Sequence, residues 1–117
     1  MGVNKELLKG TTTLLILQLL KESDKYGYEM TRELEKRSDS LFTLKEGTLY
    51  PILHTLESEG MIEAYWEDTP AVRKRKYYCI TKKGDKLLQN KKEEWRAYAK
   101  GVNTIIGGGL CNESFSF

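Results

Sequence analysis

Few side chains in this sequence could do covalent chemistry, and their spacing argues against it. There is one histidine, His54, and there are two cysteines, Cys79 and Cys111, with no C-x-x-C pair and no cluster of zinc ligands. Cys79 and His54 could in principle pair as nucleophile and base, but both fall on faces read as exposed, and no acid, base and nucleophile set converges anywhere. Neither a metal nor any other cofactor is implied, and the cysteine usage fits a reducing cytoplasm. The chemistry that remains is non-covalent. It lies in a polar set (Lys45, Thr48, Tyr50, His54), a basic run (Arg73, Lys74, Arg75, Lys76) and two aromatics (Trp95, Tyr98). The polar and basic sets suit phosphates and base edges in a major groove.

The polar set must be held by the stretch KEGTLYPILHTLESEG, residues 45–60. Leu49, Ile52, Leu53 and Leu56 recur at helical spacing and form a stripe that faces a core, leaving Lys45, Thr48, Tyr50 and His54 on the opposite face and first turn. Gly60 is placed to stop the helix. Pro51 lies inside the pattern, where it removes a donor and presses on the carbonyl of Gly47. A short or kinked first turn with free amides turned outward follows, a natural seat for a phosphate. Taken alone, the stretch satisfies two readings: a DNA recognition helix, or a core helix with a polar face.

Charge is divided unevenly along the 117 residues. Residues 1–72 carry eight Lys/Arg against thirteen Asp/Glu, a net of −5, whereas 73–100 carry eleven against three, a net of +8. A basic block on an otherwise acidic chain points to a polyanion at one surface only. No apolar run reaches the length of a membrane span, and no signal peptide precedes the first element.

Lys5 to Lys21 reads as a first helix, apolar nearly all round from Leu14 to Leu20, with the extra cover assigned to a second subunit. Glu22 to Lys25 reads as a polar turn, Tyr26 to Arg37 as a second helix and Ser38 to Leu44 as the connection to the recognition helix. Two helices so joined make a helix-turn-helix.

After Gly60 the period becomes that of strands. Ile62 to Glu67 and Lys76 to Ile80 flank a turn and form a hairpin, with Tyr78 and Ile80 pointing inward and Trp66 read as core or interface packing. The basic run sits at its tip, either reaching DNA backbone or simply blunting a solvated edge.

Thr81 is a candidate N-cap for a long last helix. Its heptad pattern sets Leu88, Trp95 and Val102 at one position and Lys91, Tyr98 and Ile105 at the other, a seam that wants a partner helix. Leu88, Trp95, Tyr98, Val102 and Ile105 are therefore the expected homodimer interface. Gly107–Gly109 ends the helix, and the tail beyond is read as disordered.

The run GTLYPILHTLESEGMIEAYW, then RKRKYYCITKKG and a terminal helix, resembles the PadR-like family of bacterial transcriptional regulators, from about Leu7 to Ile106. The resemblance implies a mainly α fold with a small β-hairpin, a winged helix-turn-helix plus a C-terminal dimerisation helix. It further implies a homodimer built by the last and first helices, repressing nearby genes until a small aromatic ligand or drug releases it. By position, Lys45, Thr48, Tyr50 and His54 match the family's recognition surface and Arg73 to Lys76 its wing. Trp95 matches a position at which a drug-binding member stacks flat aromatic compounds, which makes Trp95 and Tyr98 the expected ligand contacts. Gly101 and the glycine run depart from long-helix members and place the chain with the short-helix, multidrug-binding type.

The expected organisation is thus a DNA-binding domain over 1–82, a dimerisation helix over 83–106 and a tail over 107–117. The expected partners are a palindromic DNA duplex, a second copy and a planar aromatic ligand, with no membrane. Aromatic residues at a dimer seam are usually packing, which is the competing reading of Trp95, and the competing function is a winged-helix module that binds a ligand or protein without reading DNA.

Overall fold

A computed structural model describes residues 5–71 and 74–107. Arg73 and the tail after Gly107 lie outside the described residues. The elements are α1 (Lys5–Glu22), β1 (Lys25–Tyr26), α2 (Gly27–Arg37), α3 (Glu46–Ser58), β2 (Ile62–Glu67), β3 (Arg75–Ile80) and α4 (Lys82–Ile106). Three antiparallel strands in the order β1-β3-β2 pair Tyr26 with Tyr77 and Tyr77 with Tyr65.

The α3 stripe folds as its spacing requires. Leu49, Leu53 and Leu56 are buried beside Met30 and Leu34 of α2, Ile16, Leu17 and Leu20 of α1, Ile62 and Tyr78 of the hairpin, and Leu88 of α4. Gly60 takes φ +79°, and the bonds Gly60 N–H to Glu57 and Met61 N–H to Leu56 close the helix end before β2 begins. Thr81 caps α4, its hydroxyl oxygen accepting from Gly84 N–H at 3.0 Å.

Three expectations are corrected. The turn before α2 contains a two-residue strand, β1, too short to show a period. Lys25 within it is buried rather than solvated, because its ammonium donates to the Leu19 carbonyl at 2.9 Å and the Ser23 hydroxyl at 2.8 Å, satisfying the end of α1. The cover of α1 comes largely from this same chain, through α4, β3 and α2. Trp66 is not core: it is 60% exposed on the hairpin stem.

The α2–α3 connection reverses within a few residues by placing Asp39 and Ser40 at φ 55° and 68°. Beside it, Arg37 bridges α2 to α1, donating from Nη1 to Glu22 Oε2 at 3.0 Å and from Nε to Glu33 Oε1 at 2.9 Å. Arg37 first, and then Gln18, hold the Glu22 carboxyl down from 4.5 to about 2. A depressed folded value stabilises above the unfolded value and is lost as pH falls through the folded one. Calorimetry should therefore find Arg37→Met less stable than wild type at pH 7, with the difference closing between pH 4.5 and 2. Since both partners are a third or more exposed, the neutral-pH loss should be about 1 kcal/mol or less.

Candidate nucleic-acid interface

Helix α3 begins at Glu46 with Lys45 as its N-cap, a residue whose side chain has no oxygen to offer the first amides, and no side-chain cap bond forms there. Thr48 N–H reaches back to the Lys45 carbonyl at 3.0 Å and Leu49 N–H to the same oxygen at 2.9 Å, so the first turn is tightened. Pro51 is accommodated inside the helix. Lys45 and Thr48 are exposed at this turn, and His54 is exposed further along the helix.

Tyr50 is half-exposed and partly committed. Its hydroxyl donates to Glu46 Oε2 at 3.2 Å, and its ring rests where Gly27 has no side chain: a Cβ there would lie 2.6 Å from the phenolic oxygen. Burial, and secondly Glu46, push its pKa up, so the phenol stays neutral and can donate.

Beyond the turn, the wing cations take three different settings. Lys74 is exposed. Arg75 lies on the outer sheet face with its guanidinium 4.0 Å above the Tyr26 ring. Lys76 points to the inner face, 3.8 Å from Glu57 of α3 and 5.9 Å from the Trp66 ring, so part of its charge is already answered within the chain. A cleft of about 390 Å³ joins these wing residues to Tyr26, Tyr28, Glu46, Tyr50 and Trp66.

A second region lies at the other end of the molecule. Leu88, expected at a dimer seam, is fully buried against the chain's own core, because the first turns of α4 pack on α1 and β3; a partner could bury nothing more of it. Further along, the apolar side chains emerge. Trp95 is 47% and Ile105 85% exposed, Tyr98 and Ile106 are exposed and Val102 is half-buried. Trp95 and Tyr98, with ring centroids 6.2 Å apart, line a groove of about 420 Å³ with Lys91, Glu94 and Gly10, Thr11 and Leu14 of α1.

The Transcriptional regulator PadR-like family matches residues 16–90, well over half of the chain. The chain belongs to the PadR-like family of transcriptional regulators. It is 36% identical over 106 residues to an uncharacterised protein of Lysinibacillus sphaericus, covering 91% of this chain and 97% of that one. It is similar to a transcriptional regulator from Clostridium thermocellum at 35% identity and TM-score 0.82, over 89% of this chain and 98% of that one. A PadR-like regulator from Bacillus cereus matches at 33% identity and TM-score 0.79, over 89% and 99% of the two chains.

PadR-like regulators bind DNA, and this chain is accordingly a DNA-binding transcriptional regulator with a winged-helix fold rather than an enzyme. Cys79 fits that conclusion: burial first, then Asp24 and Glu63, push its thiol pKa up, opposite to the activation of a nucleophile. Among the described residues no helix is long and apolar enough to cross a membrane. Two exposed residues escaped the sequence reading, Tyr28 and Arg32 of α2, whose side chains meet at 3.0 Å. Their four-residue spacing was the available signal.

Proposed function

We propose that this PadR-like regulator acts in the cytoplasm as a homodimeric repressor, with residues 1–82 reading DNA, residues 83–106 holding the dimer, and release by a planar aromatic ligand. The observation that carries the dimer is the outer half of α4, where Trp95, Tyr98, Ile105 and Ile106 stand exposed among the described residues. A second α4 is the simplest cover for such a stripe. Two recognition helices roughly 34 Å apart would then enter successive major grooves of a palindromic site. Thr48, Tyr50 and His54 would choose bases, while Lys45 and the wing cations, Arg73 to Lys76, hold phosphates.

The groove beside Trp95 is the proposed ligand seat, and occupancy acts only by favouring a dimer geometry whose helices are mis-spaced for DNA. The test is binding to the promoter of its own or an adjacent gene, against scrambled duplex, with analytical ultracentrifugation of the same samples. Equal affinity for the two duplexes, or a monomer at working concentration, sinks the proposal. Planar aromatic compounds should quench Trp95 and weaken promoter binding, and Trp95→Ala should abolish that weakening, with ultracentrifugation of the variant checking that it is still a dimer because Trp95 also lies on the proposed dimer stripe. A drug response unchanged by Trp95→Ala removes the ligand assignment.

A further inference from the structure

Among the side chains that line the cleft between α3 and the wing, one has the wrong charge for a phosphate. Glu46, the first residue of α3, is exposed there beside Tyr50, Lys74, Arg75 and Lys76. Its setting differs from that of Glu57, the carboxylate further along the helix, which Lys76 answers at 3.8 Å. Glu46 forms no ion pair among the described residues, although three cations line the same cleft. A neutral group holds it instead, the Tyr50 hydroxyl lying 3.2 Å from Oε2. A carboxylate has no proton to give, so the phenol is the donor. The Tyr50 ring is fixed in turn, because it fills the space over Gly27. The phenolic proton is thereby committed within the chain, and the pair turns only lone pairs outward: those of the Tyr50 oxygen and of Glu46 Oε1, which has no partner among the described residues.

A carboxylate set among phosphate-binding cations repels the backbone of any duplex, whatever its sequence. The partner a duplex can offer it is an amino group on a base edge. Two bases present one in the major groove. Adenine carries the N7 acceptor beside its N6 amine, where a carboxylate is repelled, whereas the cytosine edge presents its N4 amine and no acceptor. We infer that Glu46 and Tyr50 form an acceptor-only reader that selects cytosine, with Glu46 accepting from the N4 amine and Tyr50 holding the carboxylate in place. Glu46 is then a specificity-determining residue that lowers sequence-independent affinity, opposite in sign to the wing cations. This inference rests on the DNA-binding reading and adds the base that its recognition helix selects.

Selection of duplexes from a randomised pool by the full chain, wild type against Glu46→Gln, tests it. The substitution is isosteric, sits at an exposed position and keeps an oxygen for the Tyr50 hydroxyl; only the outward atom changes, from an acceptor to an amide donor. A role confined to holding Tyr50 is left untouched by that change. Wild type should fix cytosine at one position of the selected site and bind about tenfold more weakly when that pair is changed to T·A. In Glu46→Gln this discrimination should vanish or invert toward bases with an acceptor, while the other selected positions stay the same. A scrambled duplex should bind the variant about threefold more tightly than wild type, because one repulsive charge has gone. A selected site identical for the two proteins overturns the inference and leaves the DNA-binding reading standing. So does a preference that shifts only where wild type selects a base other than cytosine. If wild type retains no duplex from the pool, the DNA-binding reading fails and the inference with it.

Discussion

Replacing Lys74 and Arg75 together by alanine is expected to weaken DNA binding on the order of sixtyfold at 0.1 M salt and to lower the salt slope by about 1.8, the value of two phosphate contacts. Both residues line the cleft beside half-exposed Tyr50, and neither forms an ion pair among the described residues. Lys76 is excluded from the pair on purpose, since Glu57 already answers part of its charge. Loss of the Arg75–Tyr26 stacking should cost about 1 kcal/mol or less of stability at so open a site, too little to unfold the domain. Lys86→Ala on α4, also exposed and also removing one positive charge, is the control that should leave the slope unchanged. Equal slopes for wild type and the double variant would move the interface away from the wing.

The largest expected stability effect lies at a glycine that contacts no ligand. A Cβ at Gly84 would stand 2.0 Å from the Met61 carbonyl oxygen and 2.9 Å from Ile80 Cγ1. The first obstacle is backbone and cannot rotate aside. The same turn holds the Thr81 cap, whose hydroxyl accepts from Gly84 N–H and donates to the Gly60 carbonyl at 2.7 Å. Shifting α4 to admit a methyl group would thus break the cap and lift Leu88 from the core. Gly84→Ala should cost about 3 kcal/mol or more, from overpacking and a lost cap together. Gly101 in the same helix gives the matched comparison, because nothing lies within 4 Å of its added Cβ. There the substitution should stabilise by up to about 1 kcal/mol through helix propensity alone. Chemical denaturation of both variants checks the pair, and a Gly84→Ala protein as stable as wild type would mean that α4 docks elsewhere.

Much of this was legible from periodicity. The α3 stripe, the hairpin, the Thr81 cap and the Gly60 stop are local signals, each fixed by a few neighbouring side chains and by backbone geometry, and the structure forms them where the spacing put them. The tip residue Arg73 lies outside the described residues, so the wing reading rests on Lys74 to Lys76.

The misreadings share a cause. Leu88 satisfies a heptad, yet a heptad records only that one face is apolar and not which molecule covers it; the fold of α4 onto α1 gave that face to the chain itself. Trp66 has the period of an inward residue, but the hairpin extends past the body, so its inner face there meets solvent and Lys76. Lys25 looked like a surface charge until the end of α1 came within reach of its ammonium. Tyr28 and Arg32 came to line a cleft with Thr43 and Lys45 only through the packing of α2 against the start of α3. Sequence by itself determined the elements and the inventory of charge, because both depend on residues close in the chain. Which apolar faces were left uncovered, and which cations were left unpaired, was decided by tertiary contacts alone, since burial and pairing are properties of distances that one-dimensional spacing does not contain.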